Sequence, residues 1–575
     1  MNFRLLPYPL NVYAQTLALE YGSAEHLHFG VFAAALDEAY PYAQQRAQDL
    51  LKELLISAPA CVLEVGCGGG ALARELAAQG YIATAMSGNA AEFESLIADT
   101  TQHVCADFQN YQPQQLFDIV VFQQSAQYLD PIILLEQAKA CLREGGQLLI
   151  ADEFLLDDSH REAEPLSLLG HFLQLAVRCG FHITHQQELG TLVAPGLARF
   201  HALLLKHEQA LCDSLRLEAR SVQQLAESLL SMQHKFTDAR LGYTLLDLRR
   251  GPFVEYDPVF GNIHGFTTDE VCSLFESSFN GPFDVSVWHW KYGTGRGLAV
   301  SARVGGKLVG HYGGAPRDIL YFGKPDMAVQ ICDVMVTPEH RSFAGRDTLF
   351  FKTAATFLEQ HIGNAAQHLL GFGFPNKRVL QVAVRLGLYD VTDSFVEVHY
   401  PKVAHNTGDW ELAEFDLDSP RSRMQVDALW LQMAAGLQDQ IVGVRDWAYL
   451  HYRYRAHPLW PSGGYNCLAL RRSSVNEPAA VLVLKKHDNA MLLMDIIGPV
   501  TEFPALLEVL IGFLARTDET LACRITKGQL DRISLGGCEV RDLEIDIPCN
   551  NWTHGPNAQT LAGAWWLTAG DMDFF

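Results

Sequence analysis

The chain has 575 residues, 49% of them hydrophobic, a net charge of −23 and a pI near 5.3. That apolar share fills packed cores, and ordinary domain sizes divide such a length into about three or four domains. The acidic balance excludes nucleic acid and anionic membrane surfaces as partners, since phosphate recognition needs a basic stripe and none is present.

Residues 1–15 lack the apolar core and small-residue cleavage site of a secretory signal, and no apolar run approaches the ~20 residues of a membrane span, so the expected compartment is the cytoplasm. The twelve cysteines form no C-x-x-C pair. Cys61, Cys105, Cys141 and Cys332 fall in apolar runs, so neither a disulfide framework nor a zinc site is expected. Residues 13–32 are rich in aromatics and histidine, and the spacing predicts a helix over 40–55 with Ala43, Ala47, Leu50, Leu51, Leu54 and Leu55 on one face. Val62, Leu63 and Val65 then read as a buried strand, and Leu72, Leu76 and Ala77 as a helix face. Between them Gly66, Gly68 and Gly70 let the backbone turn sharply and approach a ligand at a helix N-terminus. The spacing, E-x-G-x-G-x-G from Glu64, differs from the dinucleotide fingerprint G-x-G-x-x-G.

Further strands are predicted at 103–105, ahead of Asp107-Phe108, at 117–122, ahead of Gln123-Gln124-Ser125, and at 147–152, after a helix over 131–142 and the pair Gly145-Gly146. Helices over 166–179 and 198–234 and strands at 181–184 and 243–248 complete this part, with a boundary near 249–252. Asp118 and Asp152 read as strand-entry and solvated strand-end residues rather than catalysts.

These motifs together resemble the class I S-adenosylmethionine-dependent methyltransferases. The resemblance implies a Rossmann-like domain over residues 1–250, a mostly parallel sheet with helices on both faces and a helical N-terminal cap. It also implies S-adenosylmethionine on Glu64, Gly66, Cys67, Gly68, Gly70, Ser87, Asn89, Asp107, Phe108 and Gln123, and substrate beside Tyr21 and His28. One departure stands out: the run Ala85-Met86-Ser87-Gly88-Asn89 has no carboxylate where the family usually binds the ribose hydroxyls. A hydrogen bond to a charged acceptor is typically worth about 1.5–3 kcal/mol against about 1 for a neutral one. A nicotinamide-dependent dehydrogenase is the competing reading of the glycine turn.

Beyond residue 250, alternation predicts strands at 298–304, 307–315 and 328–336, the first two joined by Gly305-Gly306. Thr337-Pro338-Glu339-His340-Arg341-Ser342-Phe343-Ala344-Gly345-Arg346 leads into a predicted helix, followed by Phe374-Pro375-Asn376 and Leu386-Gly387-Leu388-Tyr389. The segment 251–402 resembles the GNAT N-acyltransferases. The resemblance implies a mixed α/β domain that holds acetyl-coenzyme A or another acyl-CoA on Val336, Arg341, Ala344, Gly345, Arg346 and Asn376. Tyr389 would be general acid, with Asp333 and His340 as weaker candidates for the base. Residues 403–575 echo this pattern, with strands at 465–471, 479–485 and 490–497 and a helix over 503–515, but lack the phosphate turn. They read as a degenerate second GNAT-like domain that shapes a cleft. The expectation is a bifunctional transferase acting on a small metabolite or sugar-like amine. The alternative is that one or both modules keep the fold only for ligand binding or assembly.

Overall fold

The computed structural model describes residues 3–33, 38–89, 102–161, 165–252, 254, 257–342, 345–403 and 407–572. The chain forms two compact units, residues 1–160 with 164–261 (unit 1) and residues 161–163 with 262–575 (unit 2). The first therefore ends about ten residues beyond the expected boundary, after a short strand β8 (Val259–Gly261) that the turn residues Gly251-Pro252 conceal.

Unit 1 holds one sheet in the order β3-β2-β1-β4-β5-β7-β6. Its strands are β1 (Cys61–Val65), β2 (Ile82–Ser87), β3 (Gln102–Cys105), β4 (Phe117–Gln123), β5 (Leu142–Leu155), β6 (Phe181–Glu188) and β7 (Leu241–Arg250). The first five pair in parallel, and β7 lies antiparallel between β5 and β6. Continuous apolar runs such as Leu148-Leu149-Ile150 are fully buried because helices cover both faces of a parallel sheet. Strand order reverses between β1 and β4, and the carboxyl ends of those strands open a crevice there.

The helix expected over 198–234 is three helices, Gly190–Lys206, Glu208–Leu215 and Ala219–Thr237. The second break is made by Arg216 in a left-handed conformation (φ 58°). Neither break carries glycine or proline, so the apolar spacing reads straight through both.

Unit 2 contains two sheets of related design. In the first, β9 (Leu298–Val304), β10 (Lys307–Tyr321) and β11 (Lys324–Val336) run antiparallel, and β12 (Leu370–Gly373) follows the helix Leu349–His361 and pairs in parallel with β11. In the second, β16 (Asn466–Arg472), β17 (Ala480–His487) and β18 (Ala490–Ile497) run antiparallel, and β19 (Leu521–Thr526) follows the helix Phe503–Arg516 and pairs in parallel with β18. The weak sequence echo is thus a structural repeat. β13 (Tyr389–His399) lies between β19 and β20 (Glu539–Asn550) in the second sheet, whose far edge is β14 (Trp410–Glu414). β15 (Ile441–Gly443) and β21 (Trp565–Trp566) extend the first sheet beyond β10. Chain from either side of position 402 therefore enters both sheets.

In both sheets the parallel pair parts early. β11 and β12 pair only from Ala328↔Leu370 to Ile331↔Gly373, and β18 and β19 only from Met491↔Leu521 to Leu493↔Cys523. The second wedge is filled by the C-terminal tail: Thr568 bridges Ile525, and its hydroxyl donates to Asp495 Oδ1 at 2.9 Å. The first wedge opens into a cavity of about 530 Å³.

Candidate functional site

At the crevice of unit 1 the chain leaves β1 through Gly66 (φ 73°), Gly68 (φ 50°) and Gly70 (φ 69°), all left-handed, and enters the helix Ala71–Ala78. That conformation favours glycine. Gly66 has a second reason, because a Cβ there would stand 2.5 Å from Ser125 Cβ. Glu64, buried beneath the turn, accepts the Ala73 N–H at 2.9 Å. Burial pushes its carboxyl up to about 8, against the pull of that N–H and of Arg74.

Above the turn lies a cavity of about 710 Å³ lined by Glu64, Gly66, Cys67, Gly68, Ser87, Asn89, Asp107, Phe108 and Gln123. Of the expected cofactor residues only Gly70 is missing from the lining; it caps the helix instead. At the end of β2, Ser87 Oγ accepts the Asn89 N–H at 3.0 Å. The Asp107 carboxylate accepts from Gln109 N and Nε2 at the start of a 3-10 turn, and Phe108 packs edge-on against Phe122. Among the described residues, Gln123 Nε2 is buried there without a hydrogen-bond acceptor.

Of the two residues expected beside substrate, His28 lines the cavity and Tyr21 does not; the Tyr21 hydroxyl accepts the Tyr40 N–H at 3.4 Å. His28 Nδ1 sits 2.9 Å from the Phe29 carbonyl, which can only accept, so the proton is on Nδ1 and Nε2 keeps a lone pair. Burial pushes this imidazole down to about 4, so it is neutral at pH 7. Gln48, Tyr128 and Glu153 also line the cavity. No sequence signal singled them out, since each sits on a different element. Asp152 is 1% exposed rather than solvated; its carboxylate accepts the N–H groups of Ala126, Gln127 and Glu153 and so fixes the turn after β4.

In unit 2, Asn376 and Tyr389 line the 530 Å³ cavity, while Val336, Arg341, Gly345 and Arg346 do not. Arg341 donates to the carbonyls of Val336 and Ser278, and Arg346 lies over the rings of Phe351 and Trp552. Ala344 lies outside the described residues. Asn376 is the N-cap of the helix Lys377–Arg385. His340 Nδ1 is 2.9 Å from Thr337 Oγ1. Asp333 is no free base: Lys291 Nζ at 2.8 Å and Tyr292 OH at 2.7 Å hold its Oδ2. Burial opposes its charge, but Lys291 and these hydrogen bonds outweigh burial and keep the carboxyl below its ordinary range.

The β10–β11 register jumps from His311↔Met335 to Gly313↔Cys332, a bulge that leaves Asp333 (φ 50°) and Val334 outside the ladder and beside the cavity. Tyr389 is hydrogen-bonded to Tyr312, and burial together with that neighbour holds its hydroxyl protonated. A smaller cavity of about 150 Å³ is lined by Trp290, Lys291, Arg296, Arg317, Tyr449 and Tyr452 among others, so Lys291 faces both spaces.

All twelve cysteines are free; Cys141 and Cys332 are buried as expected, whereas Cys105 is exposed at the end of the edge strand β3. Among the described residues no cluster of His, Cys, Asp and Glu could hold a metal ion, and no helix is long and apolar enough to cross a membrane.

No curated protein sequence matches the chain. Solved structures similar to it include the cyclase SpnF, at 18% identity over 43% of this chain and 97% of that one, with a TM-score of 0.36. They also include the cyclopropane synthase MmaA2 from Mycobacterium tuberculosis, at 16% identity over 43% and 93% with a TM-score of 0.36. A third is geranyl diphosphate C-methyltransferase from Streptomyces coelicolor A3(2), at 12% identity over 43% and 98% with a TM-score of 0.32. A family model described as a methyltransferase domain matches residues 41–192, the stretch that carries the glycine turn and most of the cavity lining. Residues 41–192 of unit 1 are therefore similar in sequence to methyltransferase domains.

Proposed function

We propose that unit 1 transfers a methyl group from S-adenosylmethionine to a small-molecule acceptor. The observation that carries this reading is the coincidence of the family match with a 710 Å³ cavity lined by nine of the residues expected to hold the cofactor. The fit is chemical as well as spatial: left-handed glycines open the turn, Gln123 Nε2 offers an unused donor, and Glu64 offers a buried carboxyl to a cation. S-adenosylmethionine supplies a methyl group already activated on a sulfonium, so the protein's part is to align the acceptor and exclude water. His28, neutral and with the Nε2 lone pair unprotonated, is then placed to accept a hydrogen bond from the acceptor. Calorimetric titration with S-adenosylhomocysteine is expected to show one site on unit 1. No heat at millimolar ligand, or a site filled by NAD instead, would overturn the reading.

Glu64 makes affinity pH-dependent with a definite sign. Below about 8 its carboxyl is neutral, and a cationic ligand favours the carboxylate. S-adenosylmethionine binding should therefore release a proton and tighten as pH rises from 6 to 8, by up to about tenfold per pH unit, then level off. Glu64→Gln should flatten that slope in the same titration.

The missing carboxylate at the end of β2 favours a second reading of unit 1, in which the site binds ligand without turning it over. For unit 2 the parted strands β11 and β12, the bulge at Asp333 and the protonated Tyr389 support acyl transfer from a coenzyme A thioester to an amine. The plugged wedge between β18 and β19 supports one donor site rather than two. The smaller cavity would receive the amine, and Lys291 stands between it and the donor.

A further inference from the structure

The wall of the 530 Å³ cavity has a direction. It begins at a polar centre, where Asp333 accepts from Tyr292, and Tyr292 stacks on Trp288 with ring centroids 4.1 Å apart. From Trp288 a chain of rings continues through Phe283 (5.7 Å), Phe275 (5.2 Å) and Phe279 (4.8 Å), the last of them 52% exposed. Phe275, Phe279, Phe283 and Trp288 all line the cavity, and Val287, Val379 and Leu380 add aliphatic surface. An acetyl group would leave nearly all of this wall against water. Apolar surface of that extent, continuous with a site for group transfer, is what an extended hydrocarbon chain would cover.

We propose that unit 2 takes a straight-chain, medium or long acyl group, with the hydrocarbon along the aromatic wall and the thioester beside Tyr312 and Tyr389. The inference rests on the acyl-transfer reading above. In the step itself the acceptor's neutral amine nitrogen attacks the thioester carbonyl. The C–N bond forms, the C–S bond breaks, and the electron pair leaves on sulfur. The thiolate takes a proton from the Tyr389 phenol, the nitrogen loses one to water, and Tyr389 is reprotonated from water. The products are an amide and free coenzyme A. A backbone N–H at the bulge of Asp333 and Val334, beside the cavity, would receive the carbonyl oxygen while it carries negative charge.

The test is calorimetric titration of the full chain with coenzyme A, acetyl-CoA and decanoyl-CoA. Each buried methylene is worth about fourfold in affinity, so decanoyl-CoA should bind at least a hundredfold more tightly than acetyl-CoA. Val287→Trp and Val379→Trp fill the wall from two different helices, and each should reduce that ratio at least tenfold; two sites guard against one variant failing to fold. Equal binding of the two thioesters would overturn the long-chain proposal and leave acyl transfer standing. No binding of any of the three, or binding of free decanoate as tight as that of decanoyl-CoA, would overturn acyl transfer and the proposal with it.

Discussion

Asp495→Ala is expected to destabilise unit 2 by about 3–5 kcal/mol. Asp495 is fully buried, with Oδ1 accepting from Arg445 Nε at 3.0 Å and from Thr568 Oγ1 at 2.9 Å, while Oδ2 accepts from Tyr449 OH at 3.0 Å and also from Tyr454 OH. Arg445, equally buried, also donates to Asp571, which binds Arg317 at 3.2 Å. The network holds the C-terminal tail in the second wedge. Removing Asp495 takes an acceptor away from two phenols and a guanidinium at a fully buried position. Even the backbone is committed, since a Cβ on Gly570 would stand 2.2 Å from Asp495 Oδ2.

All nine tryptophans lie in residues 262–575, so tryptophan emission in a urea titration reads unit 2 alone. Arg445→Met should cost a similar amount. The double variant Arg445→Met/Asp495→Ala should cost less than the sum of the two, because it strands fewer charges. Additive losses, or an Asp495→Ala loss below about 1 kcal/mol, would mean that the network does not hold the tail.

What was legible in the sequence was whatever local periodicity or a glycine turn dictates. Strands β9 and β18 begin and end where alternation puts them, and the turn from Glu64 to Gly68 lies in the cavity it was read to make. Features decided by contacts between distant segments were not legible. β10 runs six residues past its expected end at Ala315: Pro316–Tyr321 continue the hairpin with β11, and Ile319–Tyr321 also pair on their other side with β15, more than a hundred residues later. Their place in a turn predicts Arg341 and Arg346 as phosphate ligands, yet a carbonyl pair and two aromatic rings claim them. The aromatic wall of unit 2 was invisible for a similar reason: Phe275, Phe279 and Phe283 follow no motif, and only the packing of two helices against the wedge gathers them. Asp152, read as solvated, is buried because the turn after β4 needs its oxygens.

The glycine turn separates binding from folding by two substitutions two residues apart. Gly68→Arg should weaken S-adenosylhomocysteine binding at least a hundredfold while unit 1 stays folded. The nearest atom to a Cβ at Gly68 is Leu27 Cδ1 at 3.9 Å, so a side chain there enters the cavity rather than the core, and its left-handed φ of 50° costs only about 1–2 kcal/mol. Gly66→Val should instead unfold unit 1. Its φ is 73°, a β-branched residue tolerates that conformation poorly, and Ser125 Cβ, 2.5 Å away, is fixed by the 2.6 Å hydrogen bond from its Oγ to the Val65 carbonyl. Circular dichroism and calorimetry on the two variants distinguish the roles. If Gly68→Arg binds S-adenosylhomocysteine as tightly as the parent, the cofactor does not lie on this turn, and the functional reading of unit 1 falls with it.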